Sequence, residues 1–251
     1  YGFHAVNSEV LVSSLPTPLG TVYAGDTGGS GVDCNIIASR NYAGFVLDNS
    51  KLIGGIQRED STQPLEGSII GSELNTGYGF ILNNSELDIK GLLDVYGDYR
   101  GIEATGSKVV FENLCIDAHT KEAIRSINSS FLFDSPRAPG AAGQLGKKQL
   151  DMSGNGQHIN LVKNSSFGFT LKDSMPTTYG NTQFKIAHGV IKWGGLNRNP
   201  LPAISVNDNS TLDLLQAYID VSGTAENIAN VPSYGRAIKA SNNSKVSCFG
   251  A

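Results

Sequence analysis

Four aspartates recur in one local setting, each between two apolar residues of a short run: Leu93-Asp94-Val95, Ile116-Asp117-Ala118, Leu150-Asp151-Met152 and Ile219-Asp220-Val221. Aspartate is a poor strand residue, so its return in successive segments asks for a reason. If Asp94, Asp117 and Asp151 stack on neighbouring strands, they form a column of like charges ~5 Å apart. A cation such as calcium would relieve that repulsion, as would a raised pKa, or water with the nearby His119 or Arg125. Two carboxylates ~5 Å or ~6.5–9.5 Å apart are also what cleavage of a glycosidic bond requires. The alternative is a solvated strand edge, where the same residues serve solubility and chain direction.

A second group combines aromatic and hydrogen-bonding side chains. Tyr179, Arg198, Asn199 and Tyr234 lie in three consecutive polar, Gly- and Pro-containing stretches, close in sequence order to Trp193, the single Trp. An aromatic face flanked by Arg and Asn suits a sugar ring, which has an apolar face and a rim of hydroxyls. Trp193 is also in phase with Ile191 and fits equally as a core plug. Other chemistries lack their motifs. His4, His119, His158 and His188 are scattered without metal-ligand spacing, so no metal site and no cofactor are expected. No Gly-rich loop opens a helix and no GxSxG occurs, which leaves nucleotide chemistry and serine hydrolysis unsupported.

The framework for these residues is supplied by repetition. GFHAVNSEV, GFVLDNSKL, GFILNNSEL, GIEATGSKV and AIRSINSSF share one template, and HINLVKNSSF, AISVNDNSTL and AIKASNNSKV share it with one extra residue. The repeated Ser falls at Ser8, Ser50, Ser85, Ser107, Ser129, Ser165, Ser210 and Ser244. Within a repeat, Phe80 and Leu82 alternate with Ile81 and Asn83, and Leu87 and Ile89 resume the inward phase after the Asn-Ser step, which is period two and hence strand. The residue before the Ser is Asn7, Asn49, Asn84, Gly106, Asn128, Asn164, Asn209 or Asn243, the two residue types that tolerate left-handed backbone at least cost. These positions are expected to be structural bends. N-x-S/T matches at Asn83, Asn128, Asn164, Asn209 and Asn242 follow from the bend and carry little weight for glycosylation.

A third strand is expected at Leu92, Leu114, Gln149 and Ala217, giving three strands of ~5 residues per repeat. Stacked at ~4.8 Å, eight such units make a rod about 38 Å long. The fold class expected is all-β, a single-chain parallel β-helix of about eight coils with loop insertions, one domain over residues 1–251. The insertions run Leu15–Asp33, Gly55–Gly67, Pro136–Lys148, Lys172–Thr182, Gly194–Pro202 and Gly223–Arg236. Inward columns Phe3, Phe45, Phe80, Ile102, Ile124, Ile159, Ile204 and Ile238, and an outward ladder Glu9, Lys51, Glu86 and Lys108, are expected to fix register. Leu11, Ile53, Val110 and Leu132, with Val46 and Ile81, form an outer apolar stripe that either a subunit contact or a folded-back Gly55–Gly67 loop would cover.

Net charge is −4 at pH 7, with no basic cluster, so neither nucleic acid nor an anionic membrane surface is an expected partner, and no apolar run is long enough for membrane insertion. Cys34, Cys115 and Cys248 are odd in number and widely spaced, which fits free thiols and folding in a host cytoplasm better than a disulfide framework. The chain opens and closes inside repeats, so a portion of a longer protein is expected. With its Asn-Ser bends and coil spacing, the chain resembles the right-handed parallel β-helices of phage tailspikes, tail fibres and related virion attachment proteins, a fold shared with pectate-lyase-like polysaccharide enzymes. That resemblance implies a structural protein of the virion tail, a homotrimer in contact with other tail proteins, that attaches to a host-surface glycan. No catalytic motif of the family is matched residue by residue. The alternatives are a polysaccharide hydrolase or lyase using Asp94, Asp117 and Asp151, and a secreted adhesin.

Overall fold

A computed structural model describes residues 1–12, 36–54, 69–134, 150–154, 157–170, 184–185, 204–213 and 238–247. These residues form an all-β structure of parallel strands, without a helix. The first sheet stacks β1 (Phe3–Val6), β4 (Ala43–Asp48), β7 (Tyr78–Asn83), β9 (Arg100–Thr105), β11 (Glu122–Ile127), β14 (Gln157–Val162), β17 (Ile204–Val206) and β19 (Ile238–Ala240) in that order. The second stacks β2 (Glu9–Val12), β5 (Lys51–Gly54), β8 (Glu86–Tyr96), β10 (Lys108–His119), β12 (Ser130–Asp134), β15 (Ser166–Thr170), β18 (Thr211–Asp213) and β20 (Lys245–Ser247). A further ladder joins β3 (Ile36–Ser39), β6 (Ile69–Glu73), the C-terminal parts of β8 and β10, β13 (Leu150–Gly154) and β16 (Phe184–Lys185).

The expected third strand is separate in some repeats and fused in others. Where the Ser-to-Ser step is shortest, β8 and β10 run through the corner as single strands of 11 and 12 residues. The turn is absorbed between Phe111 and Asn113, where one residue of β10 faces Lys90 and Gly91 of β8. That two-against-one arrangement is a bulge, which bends a strand without ending it.

The interior columns stay apolar from repeat to repeat although the residues change. Phe3, Phe45, Phe80, Ile102, Ile124, Ile159, Ile204 and Ile238 occupy one register column of the first sheet. The opposing column of the second sheet reads Leu52, Leu87, Val109, Phe131 and Phe167. Phenylalanine therefore passes from the first sheet to the second as the stack proceeds, with the aliphatic Ile102 and Val109 between. Phe45 and Phe80 are stacked with centroids 4.5 Å apart, and Phe131 and Phe167 with centroids 6.2 Å apart. Gly54 has no room for a Cβ because Ile70 of β6 and Ile89 of β8 already fill its place.

The bends between the two sheets have a common construction. Asn7, Asn49, Asn84, Gly106, Asn128, Asn164, Asn209 and Asn243 all have φ between 47° and 61°. In the repeats with an extra residue, that residue also turns left-handed, as Lys163, Asp208 and Asn242 show. The following Ser hydroxyl serves two repeats at once. Ser50 Oγ donates to Asp48 O of its own repeat at 2.8 Å and accepts from Ser8 N–H of the preceding one at 3.1 Å. The pattern continues through Ser50 N–H to Ser85 Oγ, Ser85 N–H to Ser107 Oγ, Ser107 N–H to Ser129 Oγ, Ser129 N–H to Ser165 Oγ and Ser165 N–H to Ser210 Oγ, at 2.9–3.3 Å. Each Ser carbonyl in turn accepts from the residue after the next Ser, as in Glu86 N–H to Ser50 O at 2.9 Å. The hydrogen-bond ladder thus crosses the bend without a gap, and the hydroxyls are buried with the backbone they satisfy.

Replacing Ser107 by Ala leaves the buried Ser85 N–H without its acceptor, while Thr105 O keeps the bond from Asn84 N–H. The expected cost is ~1–3 kcal/mol in the denaturant midpoint. Asn84→Val, which forces a β-branched residue into left-handed geometry, should cost a similar ~1–3 kcal/mol. Variants that melt like the parent chain would refute the bend ladder at this repeat.

Candidate functional site

Two surface features arise from this framework. The first is an open groove of about 580 Å³ along the bends, lined by Asn7, Asn49, Asn84 and Gly106, the Ser residues beside them, and Glu9, Lys51, Glu86 and Lys108. The charged row is a register column, Glu9 against Lys51 against Glu86 against Lys108. Lys108 Nζ bonds Glu86 Oε1 at 3.0 Å, and Lys51 Nζ approaches Oε2 at 3.7 Å. The Lys108 hydrogen bond holds the Glu86 carboxyl below its ordinary pKa. With the buried hydroxyls committed to the bend ladder and Glu86 shared by two lysines, the groove offers exposed Asn amides but no nucleophile and no aromatic floor.

The second feature lies where the third ladder turns into the first sheet, and no repeated motif announces it. Tyr42, Tyr96 and Tyr99 are exposed there, beside exposed Leu74. Tyr42 meets Tyr78 edge to face, with centroids 5.7 Å apart, and the Arg100 guanidinium lies over the Tyr78 ring at 5.6 Å. Arg100 itself is buried and held at 2.6 Å by both Glu122 and Glu103, while Arg125 reaches Glu103 at 3.4 Å. Its Nη1 also donates to the Tyr78 hydroxyl at 3.2 Å. Burial, then the Glu103 charge, push the Tyr78 phenol up, so it stays protonated.

Beneath these rings is a buried polar network that spans three repeats. Asp98 Oδ1 accepts from Asn75 N–H at 2.6 Å and Oδ2 from Ser72 Oγ at 2.9 Å. The Asn75 amide donates to Ser72 Oγ and Ala38 O, and its Oδ1 accepts from Asn41 N–H. Glycine at positions 44 and 79 is required by this packing, since a Cβ would strike Ser72 at the one and Asp98 and Val95 at the other. A sequence signal did exist: Asn41-Tyr42-Ala43-Gly44-Phe45 and Asp98-Tyr99-Arg100-Gly101-Ile102 share polar-Tyr-x-Gly-apolar spacing.

The aspartates singled out by sequence do not form one column. Asp94 and Asp151 both face Cys115, from the rungs on either side, whereas Asp117 faces Tyr96 two residues further along. Asp117 stands one place further from its Ser than Asp94 does and the bulge in β8 shifts the register by one more, so the shared apolar-Asp-apolar pattern aligns residues that the strands do not pair. Asp94 and Asp151 are therefore two rungs apart, about 9.6 Å. Among the described residues no group of three or more His, Cys, Asp or Glu could hold a metal ion. Tyr179, Trp193, Arg198, Asn199 and Tyr234 lie outside the described residues. The outer apolar stripe is interrupted: Asp88 stands between Ile53 and Val110, and Val110 and Val46 are buried within the chain, leaving Leu11 as its exposed end. No family model, curated protein or solved structure matches the chain.

Burial raises the Asp98 carboxyl from 3.8 to about 6, against the lowering effect of its bonds from Asn75 and Ser72. Between these values the folded chain binds more protons than the unfolded one, so this group's contribution is complete below about pH 4 and is lost as pH rises past 6. The stability of Asp98→Asn relative to the parent chain should therefore rise from pH 4 to pH 7 in thermal melts. A constant difference across that range would show that the carboxyl is ionised throughout.

Proposed function

We propose that the chain forms a right-handed parallel β-helix of about eight coils and serves as a stiff display section of a virion tail fibre or tailspike, attaching to a host-surface glycan. Parallel ladders repeated in a fixed order are what such a coil requires, and parallel crossovers are right-handed in the great majority of folds. The observation that carries the functional part is the placement of the insertions. Residues 13–35, 55–68, 135–149, 171–183 and 214–237 follow β2, β5, β12, β15 and β18 respectively. In sequence, each of these segments follows the strand that comes after the repeated Ser, and the register pairs Val12–Gly54, Gly54–Ile89, Ile89–Phe111 and Phe111–Phe133 set those strands side by side in one sheet. A solenoid that adds its variable segments along one edge of a constant core is built for presentation, and that edge is commonly the binding face.

In this reading Tyr179 and Tyr234, from segments 171–183 and 214–237, and Trp193, Arg198 and Asn199, from the stretch between β16 and β17, contribute sugar contacts, and the rods associate as homotrimers alongside other tail proteins. The enzyme reading rests on Asp94 and Asp151, whose two-rung separation is close to the upper limit for an acid and base acting across a water. A secreted adhesin would use the same scaffold and differs by carrying a secretion signal or anchor in the full-length gene.

The test uses the purified chain with host-surface polysaccharide. Sedimentation should give a trimer, Trp193→Ala should weaken polysaccharide binding about tenfold, and no oligosaccharide should be released. Release by the parent chain that Asp94→Asn or Asp151→Asn abolishes would replace attachment by hydrolysis or elimination. A monomer at micromolar concentration would remove the trimer.

A further inference from the structure

The tyrosine corner is better ordered than an idle surface needs to be. Tyr42 is 58% and Tyr99 46% exposed, yet both stand on backbone fixed by neighbouring rungs. Tyr42 O accepts from Gly77 and Tyr78 N–H, and Tyr99 O accepts from Lys121 N–H. Gly77 N–H to Tyr42 O, Arg100 N–H to Gly77 O and Lys121 N–H to Tyr99 O place Tyr42, Gly77, Tyr99 and Lys121 in one column along the stacking axis. A Cβ at Gly77 would come within 3.0 Å of the Tyr42 ring, so the glycine lets that ring lie across the rung between the two tyrosines. Tyr42 is braced from behind by Tyr78, which the buried Arg100, Glu103 and Glu122 cluster locks in place.

We propose that this corner is a glycan-binding site, separate from the inserted segments, that takes an extended neutral pyranose chain lying parallel to the stacking axis. Tyr42 and Tyr99 are two rungs apart, about 9.6 Å, and support two different rings of one chain. Lys121 lies over one face of Tyr99 at 5.6 Å. Exposed Arg40 and Glu73 form no ion pair among the described residues, and Arg40 N–H bonds Glu73 O, so a free cation and a free carboxylate flank the tyrosines on adjacent rungs. That rim supplies both donors and acceptors, the complement of hydroxyls that are each both. The chain's net charge of −4 at pH 7 opposes a polyanion such as nucleic acid or an acidic glycan. For its ligand class the assignment rests on the attachment reading, while its location rests on the corner alone.

The experiment is calorimetric titration of the full chain with maltohexaose, cellohexaose, mannohexaose and, as the acidic control, hexagalacturonate. At least one neutral hexaose should bind, with an affinity that changes little between 50 mM and 500 mM salt. Tyr42→Ala and Tyr99→Ala should each weaken it about fivefold or more, Tyr42→Phe should retain it, and circular dichroism should be the same for all. Failure of all four probes overturns the proposal, as does preference for the acidic probe. Binding that ignores both tyrosines but falls in Trp193→Ala also overturns it, while leaving attachment through the inserted segments intact. Self-association that the Tyr42→Ala variant abolishes, without hexaose binding, would assign the corner to a protein contact instead.

Discussion

The structure depends on how the backbone is satisfied where it turns from the first sheet to the second. A bend in a stack of parallel strands points N–H and C=O groups at a neighbouring bend rather than at a strand, and burying them unpaired costs about as much as several good contacts gain. One serine per repeat resolves this. Its hydroxyl is short enough to stay inside the turn, donates back to its own repeat and accepts from the preceding one. The left-handed residue before it aims the hydroxyl, which is why only Asn and Gly occupy that place. Residue 165 shows the tolerance of the device: after an inserted left-handed Lys163, Ser165 donates to Val162 O instead, and Asn128 N–H is shared between the Val162 and Lys163 carbonyls.

With the bends fixed, the remaining elements follow. The sheets are held in register by paired backbones, so core residues need only stay apolar along each column, and phenylalanine changes sides while the core residues remain buried. Among the described residues the other two corners have no serine ladder. Between the second sheet and the third ladder, β8 and β10 turn by a bulge within a continuous strand. Between the third ladder and the first sheet, near Asp98, a buried carboxylate network closes the turn, and there the exposed tyrosines and the buried Arg100 cluster reside. In sequence, the insertions follow strands of the second sheet and so leave the bend column uninterrupted.

Sequence made the periodic features legible because stacking repeats a requirement at every rung. The alternating Glu and Lys row and the left-handed Asn positions recur at a constant offset from the same Ser, and the Phe and Ile column does so apart from the one extra residue in the last three repeats. The role of the Ser itself was hidden, since a small polar residue after Asn is expected of any turn and nothing in the pattern distinguishes an exposed hydroxyl from a buried one. The aspartate column failed for a different reason. Asp94 and Asp117 share local context, but Asp117 stands one place further from its Ser, the extra residue in β8 adds a second register position, and local context carries no record of a bulge. The tyrosine corner was missed because its members come from three repeats and recur in only two, too few to read as a period. The sugar-binding residues chosen from the insertions, Tyr179, Trp193, Arg198, Asn199 and Tyr234, fall outside the described part of the chain.

The serine ladder makes a claim about amides that ordinarily exchange fast. Native-state hydrogen exchange resolved at Ser50, Ser85, Ser107 and Ser129 measures it directly, because each of these N–H groups sits in a turn yet donates to the Oγ of the next repeat. The account predicts protection equal to that of the strand amides of Phe80 and Ile102, so that turn and strand exchange as one cooperative unit. Exchange of the four serines at the rate of open turns, with the flanking strands still protected, would contradict it.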